Sequence, residues 1–397
     1  MRGGRRIARS QGSALLTATV FLALLSSVVS AERRPGFHPN LELQLLYDDN
    51  ARATVDKLKE SDEIFLLNPD LAGILLFGKH RLEFEYEGSF AFYAHDSLLN
   101  YDDHRLNAQA LLDHSYRLNT EFQLSYLRSH DEPGETNARP EERTEVDQWR
   151  NWDILGKLYY GRFESKGQIV VELDYSVQRY TNNDQEFRDD DTLTSTGTFF
   201  YRIAPNTRFL LEASVADAHF PNKSAIGASQ SNQEYNYLAG VTWDITAITT
   251  GTFKIGYQEK QYDSSEFSNL SGLTFSLEGI WNPNTYTHIT FGAVRDGRDS
   301  AQQFSGAYVK NSIQADVRHE ITLRTALTGR ISYALDEFDD VRGREDTRWE
   351  LGFGVRYELL RWLEIGAEYN NRERDSTEEI YDFKSNIFMV MASTKFD

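Results

Sequence analysis

The residues that could do chemistry come first, and histidine is the most telling of them. Nine histidines stand at positions 38, 80, 95, 104, 114, 130, 219, 288 and 319. A zinc site needs two such ligands at close spacing with a third nearby, and a nucleophile needs a base beside it. None of the nine forms a His-x-x-x-His pair, and no serine and histidine fall at one height on neighbouring elements. Cysteine is absent, which excludes a thiolate metal site and a disulfide framework. Carboxylates are abundant instead. Acidic runs at 131–147 (Asp131, Glu132, Glu135, Glu141, Glu142, Glu145, Asp147), 184–191 and 336–346 have donors suited to hard divalent cations. Yet none follows the Asp-x-Asp/Asn-x-Asp/Asn-Gly order of a calcium loop, so each reads as a solvated loop. No catalytic residue, metal site or cofactor is assigned, and the chain is read as not an enzyme.

The charged residues are more informative in their alternation. From Leu82 to Phe90 every even position is apolar or glycine, and Glu83, Glu85 and Glu87 occupy odd ones. In an extended strand these two sets point to opposite faces; in a helix the glutamates would be scattered around the axis. The same period of two recurs around Glu172 and Asp174, at 273–281, at 348–357 and at 363–370. Strands are expected near 41–50, 63–78, 80–93, 103–117, 120–130, 145–160, 167–181, 189–202, 207–219, 231–244, 250–262, 267–282, 285–296, 306–319, 322–336, 345–358, 362–373 and 380–396. That is about 18 strands, with 16 as the alternative count, each long enough to cross a bilayer at a tilt.

The connectors alternate between short and long along the chain. Short ones include Gly78-Lys79, Ala204-Pro205-Asn206 and Asn282-Pro283-Asn284; long ones include 51–62, 131–144 and 220–230. Such parity is that of an all-β, closed, antiparallel up-and-down transmembrane barrel with short periplasmic turns and long outer loops. Tyr116, Tyr160, Tyr201, Trp243, Trp281 and Tyr357 fall beside short turns, where an aromatic girdle belongs. A soluble sandwich or propeller would use shorter strands. With the polar phase turned inward, the lumen-lining candidates are Glu83, Glu85, Glu87, Glu172 and Asp174 on an acidic side. Arg318, Arg324, Arg330, Arg348 and Arg356 form a basic side.

The first 31 residues read as an export signal. Arg2, Arg5, Arg6 and Arg9 precede the apolar stretch Ala14 to Val29, and Val29-Ser30-Ala31 supplies small residues for cleavage. The expected organisation is a cleaved signal at 1–31, a short periplasmic segment at 32–40 and a barrel domain at 41–397. Cleavage would move the net charge from −19 to −23, because four arginines and no acids leave. Such acidity argues against nucleic acid as a partner. A mean hydropathy of −0.56, with no long apolar run after the N-terminus, excludes transmembrane helices but not strands. The location that follows is the outer membrane of a Gram-negative bacterium. Outer-membrane lipid, lipopolysaccharide and the barrel-insertion machinery are the expected partners.

Tyr47-Asp48-Asp49-Asn50, Asn68-Pro69, the Asp174-Tyr175 to Tyr180 strand followed by Asn182-Asn183, and the Pro-Asn-Thr turns at 205–207 and 283–285 carry a family resemblance. Through them most of the chain resembles the putative β-barrel porin 2 family, outer-membrane barrels often encoded beside exopolysaccharide or capsule genes. That resemblance implies a pore tied to polysaccharide secretion, working with periplasmic polysaccharide synthesis and export proteins. The expectation drawn from it is a passive conduit for an exported polymer. The alternatives are a general or solute-specific nutrient porin and an outer-membrane hydrolase, and fold by itself does not choose among them.

Overall fold

In the computed structural model the described residues are 34–394, apart from 139–144, 225, 247, 303–304 and 340–342. The expected export signal, Glu141, Glu142 and the terminal Phe396-Asp397 lie outside them. The strands are β1 (Gly36–Asp48), β2 (Asp62–Phe77), β3 (His80–Tyr93), β4 (Tyr101–Asp113), β5 (Leu118–His130), β6 (Gln148–Tyr160), β7 (Gly167–Tyr180), β8 (Asp190–Ala204) and β9 (Thr207–His219). They continue as β10 (Asn232–Thr246), β11 (Thr249–Tyr262), β12 (Leu270–Asn284), β13 (Thr287–Asp299), β14 (Ala307–Thr322), β15 (Thr325–Phe338), β16 (Glu345–Leu360), β17 (Leu363–Ser376) and β18 (Phe383–Thr394). No helix among the described residues is long and apolar enough to cross a membrane.

Each strand pairs antiparallel with its sequence neighbours, and β1 also pairs with β18, from Glu42 opposite Ser393 to Asp48 opposite Ile387. The sheet is therefore a closed 18-stranded barrel without a free edge. Strands of 12 to 16 residues span the apolar core of a bilayer with some to spare. Connectors alternate strictly: two to six residues at one end, six to seventeen at the other.

The two faces separate as the period of two requires. On β7, Ile169, Val171, Leu173 and Tyr175 are exposed on the outer face, while Glu172, Asp174, Ser176 and Gln178 turn inward. Apolar side chains covering the outside of a closed barrel face lipid, and the polar set faces the lumen. Pro69, which has no N–H to give a ladder, sits mid-strand on β2 opposite Gly88 of β3. A Cβ at Gly88 would lie 2.8 Å from the Tyr86 hydroxyl and 3.1 Å from the Pro69 ring. Only glycine leaves room for both rings there.

Boundaries differ from expectation at a few places, each for a local reason. β1 begins at Gly36 rather than 41, so 36–40 belongs to the first strand. Phe37 to Leu41 pair with β2, while the pairing with β18 starts at Glu42, so Pro39 stands where only one neighbour is engaged. β4 stops at Asp113, because the His114 and Ser115 N–H groups both donate to the Leu118 carbonyl and fold 114–117 into a turn. The acidic loop 131–147 is corrected more substantially. It is not a solvated loop: Asp131, Glu135, Thr136 and Asp147 are buried, and so are Asp189 and Asp190 of the 184–191 run and Asp336 and Asp346 at the ends of the 336–346 run.

Candidate functional site

The buried loop between β5 and β6 is the longest connector, and it crosses the barrel mouth. Its near end is fixed by Asp131, which accepts from the Trp149 indole (3.0 Å) and from Arg188 (2.7 Å). Asp147 stands 3.7 Å from the same guanidinium. Burial alone would lower Arg188, but Asp131, Tyr180 and Asp147 outweigh it and hold the guanidinium above its ordinary value. The loop then reaches the opposite wall. Arg372 donates to the Pro133 carbonyl and Arg374 to that of Glu135, both at 3.0 Å. Thr136 donates to Asp336 of β15 at 2.8 Å, and Asn137 accepts from the Ala301 N–H at 3.2 Å. Around the ladder β15 is eight strands from β5 in one direction and ten in the other. The loop therefore spans nearly a full diameter.

Glycine makes the landing possible. Gly134 has φ +85°, and a Cβ there would lie 2.7 Å from Phe383 and 2.8 Å from Ala53. Both the backbone and the space exclude a larger residue. The landing site itself is dense. Arg344 binds Asp346 through two nitrogens and stacks 3.4 Å above the Tyr381 ring, Ser376 donates to Asp346 at 2.6 Å, and Arg348 donates to Asp336 at 2.7 Å.

Below the loop the lumen wall is charged and hydrogen-bonded. Glu83, Glu85 and Glu87 share the inward face of β3, opposite Ile74, Ala72 and Asp70 of β2. Glu172 pairs with Lys157 of β6 at 3.0 Å, and Asp174 shares its inward face with Asp153, which stands opposite the neighbouring Ser176 in the β6–β7 register. The arginines do not form a free basic sector. Arg330 binds Asp316 at 2.7 Å and lies 3.7 Å from Glu350, Arg356 binds Glu368 at 2.9 Å, and Arg318 is 3.7 Å from Glu364. Arg324 is not on a wall at all. It stands exposed in the Leu323-Arg324 turn, because the Thr322 hydroxyl accepts from the Arg324 and Thr325 N–H groups and closes the chain there.

The six girdle residues stand at the short-turn end. Tyr116 lies in the β4–β5 turn with the Arg162 guanidinium 3.8 Å over its ring, and Lys166 lies 4.8 Å over Tyr201. Tyr160, Trp281 and Tyr357 are exposed, and Trp243 leans across Gly251 of the next strand. Two other polar clusters sit at the long-loop end. Ser129 and His130 both bond Asp103, at 2.9 and 3.0 Å, so the serine is directed to the carboxylate and not to the histidine. Asp62, beside Glu63 and His95, accepts from the Ala94, His95 and Asp96 N–H groups and serves to hold the β3–β4 loop.

A closed 18-stranded barrel with a lipid-facing exterior, a polar lumen and a loop across its mouth is a pore architecture. The family described as putative beta-barrel porin 2 matches residues 37–396, which is the whole barrel. The chain belongs to this family. As a member of the putative β-barrel porin 2 family it is an integral outer-membrane β-barrel. Three solved structures from Pseudomonas aeruginosa are similar to it: OpdO (TM-score 0.50, 12% identity), OccK2 (OpdF) (0.49, 9%) and the outer membrane protein OpdK (0.49, 11%). Each alignment covers 91% of this chain and 98%, 98% and 99% of the respective structure, and at such identity the likeness is one of fold. No curated protein matches the sequence.

The docking of the loop and its landing arginines, Arg372 and Arg374, were missed by sequence reasoning. Arg372 and Arg374 occupy successive inward positions of β17, so the period of two carried a signal. The 17-residue length of the loop was a second, since connectors beyond about 12 residues are usually functional.

Proposed function

We propose that the protein is a passive channel for small polar solutes, a nutrient-type porin with its constriction at the β5–β6 loop. The observation that carries this reading is the loop anchored on opposite walls of the mouth. A bridge across the lumen obstructs a sliding polymer more than a small solute. This favours the solute porin over the polysaccharide conduit that the family resemblance implied, and the matches to porins weigh the same way. Inward threonines on β8 (Thr192, Thr194, Thr196 and Thr198) and Ser214 on β9 offer small hydroxyl groups along one wall. Such groups exchange hydrogen bonds with a hydrated solute without holding it tightly.

The test uses the purified barrel in planar bilayers and in liposomes. Steady ion conductance without any partner, and liposome swelling that stops beyond oligosaccharide size, are the expected results. A barrel that conducts only when periplasmic secretion proteins are added would overturn this reading in favour of a conduit.

A further inference from the structure

The walls of the lumen are unequal in charge. On β14 to β17 the inward acids and cations are close to equal in number and interleave: Asp316 and Glu350 flank Arg330, Glu368 binds Arg356, Glu364 lies near Arg318 and Asp336 binds Arg348, while Glu320 and Glu358 share the same phase, Glu358 opposite Glu364. β9 to β13 balance likewise, with Lys254 on Glu212 and Lys260 between Glu234 and Asp299. The two further arginines of β17, Arg372 and Arg374, are turned to the backbone of the docked loop.

On the wall formed by β1 to β4 acids outnumber cations in the inward phase. Its inward positions include Glu42, Asp70, Glu83, Glu85 and Glu87, and the cations in the same phase are Arg81 and Arg105. Arg81 binds Glu83, and Arg105 is 3.5 Å from Glu87. Asp70 and Glu87 stand directly opposite one another in the β2–β3 register. Like charges so placed repel across a ladder, which is tolerable in a wet lumen where mobile cations gather. Asp153, Glu172 and Asp174, with Lys157, extend the same sign onto β6 and β7.

We propose that this acidic wall makes the channel cation-selective, so that its solutes are small cations and basic organic molecules rather than anions. The proposal rests on the channel reading above and adds a sign to it. A low-dielectric wall focuses the field of its carboxylates into the lumen, concentrating cations and depleting anions there. The loop strengthens the asymmetry, because it covers Arg372 and Arg374.

The experiment is the reversal potential of the full barrel in a KCl gradient across a planar bilayer. The expected potassium-to-chloride permeability ratio is on the order of threefold to tenfold at 0.1 M salt. It should decline towards unity at 1 M, where the screening length shrinks from about 10 Å to about 3 Å. The triple variant Glu83→Gln, Glu85→Gln, Glu87→Gln should lower the ratio at 0.1 M while conductance persists. Chloride preference in the unaltered protein, or a triple variant that folds with the ratio unchanged, overturns the proposal and leaves the channel reading intact. If the triple variant does not fold, the sign and salt dependence of the unaltered protein decide. A barrel that never conducts refutes the channel reading and this inference with it.

Discussion

Replacing Arg372 and Arg374 with methionine should lift the β5–β6 loop from the far wall. Methionine keeps most of the apolar stem that packs near Phe383 while deleting the guanidinium, so the change removes two donors rather than a packing surface. Each arginine donates one charge-assisted bond to a loop carbonyl at 3.0 Å. At about 1.5–3 kcal/mol apiece, docking loses about 3–6 kcal/mol. The lower figure already shifts the ratio of docked to lifted loop by roughly a hundredfold. Thr136 to Asp336 and Asn137 to Ala301 are among the contacts that remain, so the loop should fluctuate rather than leave for good. Single-channel recording at 1 M KCl is the assay. The double variant should show a larger unitary conductance, flicker between two levels and a higher size limit in liposome swelling. Heat-modifiable gel mobility reports independently that the barrel has formed. If a correctly folded double variant conducts like the unaltered protein, the loop is not the constriction.

The chain has no cysteine, so Thr136→Cys with Asp336→Cys gives a clean oxidisable pair, expected to hold conductance low when oxidised and to release it on reduction. Gly134→Val should act like the double arginine variant, because it sets a β-branched residue at φ +85° against Phe383; unchanged conductance would contradict the landing geometry. Arg188→Met leaves Asp131 and Asp147 buried without their cation, at a cost of about 3–5 kcal/mol, and should lower the thermal midpoint of the folded band on gels. Leu173→Arg, on the outer face of β7, should cost about 2–4 kcal/mol in urea titrations of the barrel refolded into vesicles. An unaffected midpoint there would mean that this face does not meet lipid.

Much of the barrel was legible because its two faces answer to different solvents. Lipid demands apolar residues at every second position of a strand such as β7, and the lumen accepts nearly anything polar between them, so the strand writes itself into the sequence. Turn parity then constrains the count: an error of one strand would have placed a long loop among the short turns. The ends were less legible, since they depend on single hydrogen bonds. The Thr322 hydroxyl closes one turn and thereby takes Arg324 off its strand, and Pro39 belongs to β1 only because its neighbours pair mainly on one side.

The contact that defines the candidate site had no such periodic signal. Thr136 and Asp336 are 200 residues apart, and nothing local requires them to meet. The acidic loop looked solvated because charge was counted without asking what stood opposite. In a barrel that question has a definite form, because ladder order fixes which strand faces which. With 18 strands, a loop rising between β5 and β6 faces the wall around β15, and a long acidic loop should be sought by inward arginines within a few strands of there. Arg372 and Arg374 stand close to that position. They donate to loop carbonyls rather than to carboxylates, so the contact fixes the path of the backbone. The same geometry that is proposed to bar polymers also covers two of the lumen's cations, and so bears on the sign of the ions expected to pass.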